Sequence, residues 1–333
     1  MGRYGASISI DGEDEEMMDD KATFDSDVLF ASAAVMPLLF HDLPVGDPAR
    51  KAAIDAYDAC TRCLKSPSLL IEVGRAYEYG KKGAEKLQGL LNQLFSKTKK
   101  EEKHLSADDG KCLGVVVDEM ILLAFRPSKI KTNKDAERLM NIRDALVATS
   151  ETELGSLNGF NFIRSDGAKA IAQRIKKTPV ADGAYEANPA ESVPKLVAAV
   201  AKKYDLSDNG AIAYLQMLAM HDCSSKNLKL WNDWSTGDYN KAMKELEEAK
   251  LLLKAKRSRA GRNHFLPGGW EEMKAPDLPI ETWKVPLFQL RRNDNGKVKG
   301  PLNAILPLDP CHLLFEKAWQ RVLDGDQPSY EEV

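Results

Sequence analysis

The sequence predicts a mainly α chain: a helical bundle followed by a winged helix-turn-helix with a small β-hairpin wing and an extended C-terminal tail. Three observations predict this. Apolar residues recur at three- and four-residue spacing in the first half, breakers cluster between Thr178 and Pro194, and three short capped helices then precede a basic hairpin. The expected parts are an acidic disordered leader over 1–27, the bundle over 28–177, the winged-helix domain over 178–270 and the tail over 271–333.

Composition bounds the function classes. The 333 residues hold 47 Lys and Arg against 50 Asp and Glu, a formal net charge of -3. Any pull on nucleic acid must therefore come from a local patch. Five cysteines in no regular spacing fit reduced thiols in a cytoplasm. The longest apolar stretch, Val28 to Phe40, is shorter than the about 20 residues that cross a bilayer. It also follows acids, whereas a signal peptide opens with positive charge. A cytoplasmic chain with no membrane segment is expected.

The leader carries nine acids, Asp11, Glu13, Asp14, Glu15, Glu16, Asp19, Asp20, Asp25 and Asp27, against Arg3 and Lys21. Acids this dense repel one another, with little apolar surface to offset the entropy of ordering. It reads as a solvated leader, or as an acidic arm covering a basic patch. In the bundle, Asp47 and Pro48 mark a helix start. Leu87, Leu90, Leu91, Leu94 and Phe95 form a buried helical stripe. Leu113 to Phe125 is apolar almost all round and reads as a central core helix. Leu139, Ile142, Leu146 and Val147 mark another amphipathic helix. Pro179, Gly183, Pro189 and Pro194 then read as a linker or domain edge.

Beyond that edge, Ser207 caps a helix running to about Met220, and Ser224 or Ser225 caps a short helix carrying Leu228 and Trp231. Ser235 with Asp238 fits a capping box for a third helix from about Gly237 to Lys250. Two strands, Leu251 to Ser258 and Arg262 to Leu266, flank Ala260-Gly261. Three helices and a hairpin are the order of a winged helix, with the third helix in the recognition position. On the hairpin, Lys254, Lys256, Arg257, Arg259 and Arg262 are uninterrupted by acid. Such a loop suits phosphates by displacing condensed counterions. On the third helix, Asn240, Lys241 and Lys244 are secondary candidates, diluted by Glu245, Glu247 and Glu248. The expected partner is duplex DNA read with weak sequence specificity, since phosphate contacts position without reading bases. The alternative is a protein-interaction or assembly subunit, docking a partner protein or another copy of itself.

The run Lys254-Ala-Lys-Arg-Ser-Arg-Ala-Gly-Arg262 leads into Phe265-Leu-Pro-Gly-Gly-Trp270. Lys274-Ala-Pro-Asp-Leu-Pro-Ile-Glu-Thr-Trp-Lys284 and the terminal Tyr330-Glu-Glu-Val333 follow. With these segments the chain resembles, over roughly Leu157 to Val333, the C-terminal region of large bacterial MolR-like regulators, described also as DNA-binding proteins. The resemblance implies a transcription-linked role.

In the tail, Pro276, Pro279 and Pro286 hold the chain extended, and Trp270 and Trp283 read as anchors on the body. The tail reads otherwise as a peptide-like arm for another protein. Leu287 to Arg292 and Lys297 to Val298 around Asn295-Gly296 read as a second hairpin, with Arg291, Arg292, Lys297 and Lys299 as a second basic cluster. A last helix spans about Asp309 to Leu323. Catalytic patterns fail on spacing. Cys60-Thr-Arg-Cys63 falls inside a predicted helix and has no second pair to complete a zinc site. Gly74 to Lys82 lacks the hydroxyl residue of a phosphate loop. His221-Asp222-Cys223 are neighbours that cannot form a relay. No catalytic residue, metal or cofactor is expected.

Overall fold

The computed structural model describes residues 23–329 apart from 25, 102–103, 150, 155–156, 274, 276, 293–295, 297, 301 and 303–304. Among them the chain is mainly helical, as expected, but it also carries a seven-stranded sheet. Most of the acidic leader lies outside the described residues. Its last part is ordered: Thr23–Phe24 form β1, and α1 (Ser26–Asp42) follows. Contacts divide the described residues into two units, one made of those up to Ala33 with those in Ala56–Ile163, the other of those in Ala34–Asp55 with those from Arg164 onward. Both α1 and α2 (Pro48–Cys63) contribute to each. Pro48 opens α2, and Asp47 Oδ1 accepts from Ala49 N at 2.8 Å, the cap that the sequence predicts.

The first unit continues with β2 (Leu70–Tyr77), α3 (Gly80–Leu94), β3 (Lys99–Lys100), β4 (His104–Asp108), β5 (Cys112–Val117), β6 (Met120–Phe125), α4 (Asn133–Val147), β7 (Glu151–Leu154) and α5 (Leu157–Arg164). The sheet order is β1-β2-β6-β5-β4-β3, with β7 also on β2, and every pair but β1–β2 is antiparallel. The expected all-helical bundle over 28–177 is corrected here. Leu113 to Phe125 is no core helix but most of two paired strands. Val117 pairs with Met120, and Asp118 turns the chain between them at φ 49. An apolar run of this length fits a buried helix or buried strands by periodicity alone. The β-branched Val115, Val116 and Val117 and the acidic pair Asp118-Glu119 decide for a hairpin.

The helical stripe on α3 does form. Leu87, Leu90, Leu91 and Phe95 are buried, and α3 packs on β4, β5 and β6. A Cβ at Gly114 would overlap Leu91 Cδ1 and Leu123 Cδ2, so the glycine admits this close approach of helix to sheet. On α4, Thr132 and Asp135 make a capping box, and Leu139, Ile142 and Leu146 face inward. Val147, expected in that stripe, is 52% exposed.

The second unit holds α6 (Asp166–Lys176), α7 (Pro189–Ser192), α8 (Pro194–Tyr204), α9 (Asp208–Ala219), α10 (Ser225–Asn232) and α11 (Thr236–Glu248). After them come β8 (Leu253–Lys254) with β9 (His264–Phe265), β10 (Trp270–Glu271) with β11 (Ile280–Glu281), β12 (Arg291–Arg292) with β13 (Val298–Lys299), and α12 (Cys311–Leu323). The Pro-rich segment before Pro194 is internal to this unit: Val45 N donates to Ala184 O and Gly183 N to Val45 O, both at 2.8 Å. The core helix is α9, buried from Gly210 to Ala219 and packed by α8, α11 and α12. Being apolar all round suits it to that place. Its one buried amide, Gln216, is satisfied: Nε2 donates to Ala187 O at 2.8 Å, and Oε1 accepts from Asn232 Nδ2 at 2.8 Å.

Candidate nucleic-acid interface

Three helices and a hairpin stand in the order that the sequence predicts. Ser207 Oγ accepts from Gly210 N, Ser224 Oγ from Asn227 N and Ser235 Oγ from Asp238 N, so each hydroxyl caps its helix. Asp238 returns the bond to Ser235 N at 3.0 Å. On α11, Asn240, Lys241 and Lys244 are exposed, while Tyr239, Ala242, Met243 and Leu246 face the core. Lys244 Nζ lies 3.5 Å from Glu248 Oε1 on the same face, so its charge is shared within the helix.

The hairpin is short and folded inward. Only Leu253↔Phe265 and Lys254↔His264 pair as strands, where longer ones were expected. Arg259 at φ 60 and Gly261 at φ 65 turn the loop back, and Gly261 O accepts from Ser225 N at 3.0 Å. Each cation has a distinct fate. Lys254 and Lys256 are exposed. The Arg257 guanidinium stacks over Trp270 at 5.0 Å and Phe265 at 5.4 Å. Arg259 donates Nη1 to Met273 O at 2.7 Å and Nη2 to Asp277 O, fastening the loop to the tail.

Arg262 corrects the expectation most sharply. Its side chain is 3% exposed, and Nη2 donates to Glu281 Oε1 at 2.6 Å. Lys284 Nζ lies 3.1 Å from Glu281 Oε2 and donates to Met220 O at 2.7 Å. Burial pushes the Glu281 carboxyl upward, but the facing charges of Lys284 and Arg262 outweigh it and hold it at about 2. One carboxylate thus gathers two cations in the interior, and Arg262 cannot meet a phosphate. No basic tract by itself reveals such a partner. The Glu281–Lys284 spacing in the tail is the signal that sequence reading passes over.

The second basic cluster is partly engaged too. Arg292 Nη2 pairs with Glu271, and its Nη1 donates to Gly296 O at 2.9 Å, while Arg291 and Lys299 are exposed. Lys297 and the Asn295 of the turn lie outside the described residues. Trp270, stacked by Arg257, and Glu271, paired with Arg292, are successive residues of β10. Successive strand side chains leave opposite faces. Arg257 and Arg292 therefore engage side chains on opposite faces of the β10–β11 ribbon.

The chain matches no family model, no curated protein and no solved structure.

The remaining sequence motifs disperse. Cys60 is buried and Cys63 half-buried within α2. His221 Nε2 meets Leu278 O at 3.0 Å, Asp222 accepts from Asn227 Nδ2 at 2.8 Å, and the Cys223 thiol donates to Gln216 O at 3.0 Å, so the three point at different partners. Among the described residues no group of three or more His, Cys, Asp or Glu is arranged to hold a metal, and no helix is long and apolar enough to cross a membrane.

Proposed function

We propose that the protein is a non-enzymatic interaction subunit. In this reading α9, α10, α11 and the β8–β9 hairpin form a winged-helix-like platform that docks a partner protein, and the hairpin braces the tail instead of gripping DNA. The observation that carries it is Arg262, whose guanidinium is spent on Glu281 in the interior. The fastening of Arg259 to the carbonyls of Met273 and Asp277 supports the same reading. A folded-back loop with engaged guanidiniums has few charges left to displace counterions. The mixed charge on the outer face of α11, with Lys241 and Lys244 beside Glu247 and Glu248, suits a protein surface better than a phosphate backbone. A regulator of the MolR-like kind acting through protein contacts fits this account.

A second reading keeps weak duplex contact through Lys254, Lys256 and Lys241, and is favoured by their exposure. The two separate in one experiment. A photocrosslinking residue replaces Lys241 in the full chain, expressed in its native host. Docking predicts one discrete protein adduct that a crosslinker at Lys81 does not give. Adducts to nucleic acid, or no adduct from a chain that light scattering finds strictly monomeric, would overturn it.

A further inference from the structure

The second unit also contains buried donors with nothing to bond. Arg50, in the first turn of α2, is 3% exposed, and its guanidinium lies 4.8 Å from the centroid of the Phe40 ring. Its Nη1 and Nη2 are both buried and neither has a hydrogen-bond partner. Arginine keeps its charge in proteins, and burying an unpaired ion is costly. Arg174 on α6 gives Nε to both Glu186 oxygens at 3.0 Å, yet its Nη2 is buried and unpartnered as well. His312 adds a third unsatisfied group, a buried Nδ1 in the first turn of α12.

Arg50 lies over Phe40, whose neighbour His41 bonds Cys311 in the first turn of α12, and the Arg174 charge acts on both Arg50 and His312. Helix α12 has 13 residues and starts at Cys311 behind Pro310, which gives it no side-chain cap. The uncapped first turn and the helix dipole both favour negative charge there. The acids at hand are already committed. Glu186 serves Arg174 and Thr178, Asp47 caps α2 at Ala49 N, and Asp309 holds Lys317 Nζ at 2.6 Å. Cys311 and His41 add no charge. The thiol donates to His41 Nδ1 at 3.1 Å, the Nε2–H of His41 donates to Asp309 O at 3.0 Å, and burial keeps both groups neutral.

We infer that the second unit binds a small inorganic anion at the N-terminus of α12, held by the free donors of Arg50 and Arg174 beside His312. The anion takes the place of the carboxylate that Arg50 lacks.

The test is thermal unfolding of the full chain at constant ionic strength, with sodium gluconate replaced stepwise by chloride in one arm and by inorganic phosphate in the other. Binding raises Tm by roughly 3–5 °C per tenfold increase in anion above its Kd. A response to chloride alone identifies a halide-sized site, and a response to phosphate identifies an oxyanion site; either supports the inference. Arg50→Met should abolish the response, and Lys81→Met in the first unit should keep it. If Arg50→Met does not fold, chloride NMR line broadening by the wild-type chain and by Arg174→Lys replaces it, with broadening reduced in the variant. Equal Tm values in gluconate, chloride and phosphate overturn the inference. So does a response that survives Arg50→Met or broadening unchanged by Arg174→Lys, since either marks an adventitious ion only.

Discussion

Replacing Arg262 by alanine separates an internal brace from a surface contact. The substitution removes a guanidinium that is 3% exposed and bonded to Glu281 at 2.6 Å. It also removes the stacking of that group over Phe265 at 5.0 Å. Breaking a buried ion pair by deleting one partner costs about 3–5 kcal/mol. Lys284 stays 3.1 Å from Glu281 and keeps part of the compensation, so the lower end, about 3 kcal/mol, is expected. For a domain of this size that is a fall in Tm of roughly 6–12 °C. Urea unfolding with an unchanged m-value measures the stability directly. A cycle with Glu281→Gln should return a coupling of at least about 1 kcal/mol. Lys254→Ala, on the same hairpin but exposed, should stay within about 0.5 kcal/mol of wild type. A loss under about 0.5 kcal/mol for Arg262→Ala would refute the brace, because that is how an ordinary surface cation behaves.

Acid should weaken the fold in a window set by histidines. Burial holds His41 down at about 3 and His312 at about 4, and it lowers His221 too, against an ordinary value of 6.5. The unfolded chain therefore takes up protons that the folded chain refuses. The stability is fully present above about pH 6.5 and is lost as pH falls toward 4, with His41 contributing up to about 1.4 kcal/mol per pH unit. A flat urea midpoint between pH 6.5 and 4 would contradict this. Gly114→Ala should cost about 1–3 kcal/mol in the same assay through overlap with Leu91 and Leu123, and a neutral result would mean that α3 does not press on β5 so closely. Ser235→Ala should cost about 1 kcal/mol by uncapping α11, with Ser235→Asp restoring most of it.

The second unit was legible where chemistry is local. Ser207, Ser224 and Ser235 announce their helices because a hydroxyl cap acts over three residues. The stripe on α3 is legible for the same reason. The sheet of the first unit was not, because Leu113 to Phe125 satisfies a buried helix and two buried strands equally, and pairing partners such as β2 and β6 are far apart in sequence. The basic hairpin was visible as a run of cations. Their fate depended on Glu281, Met273 and Asp277, tail residues that only tertiary folding brings to them. The unpaired Arg50 was invisible for the same reason, since it follows from the position of α12, far along the chain.

The most direct test of the brace is fluorescence anisotropy of a labelled generic duplex titrated with the full chain across a salt series. With Arg257 stacked on Trp270, Arg262 buried against Glu281 and the exposed Arg259 bonded to tail carbonyls, binding at physiological salt should be weaker than about 100 µM and unaffected by Arg259→Ala. Micromolar binding would contradict the account if log K falls against log salt with a slope near -2.7, the value for about three phosphate contacts, and if Arg259→Ala flattens that slope.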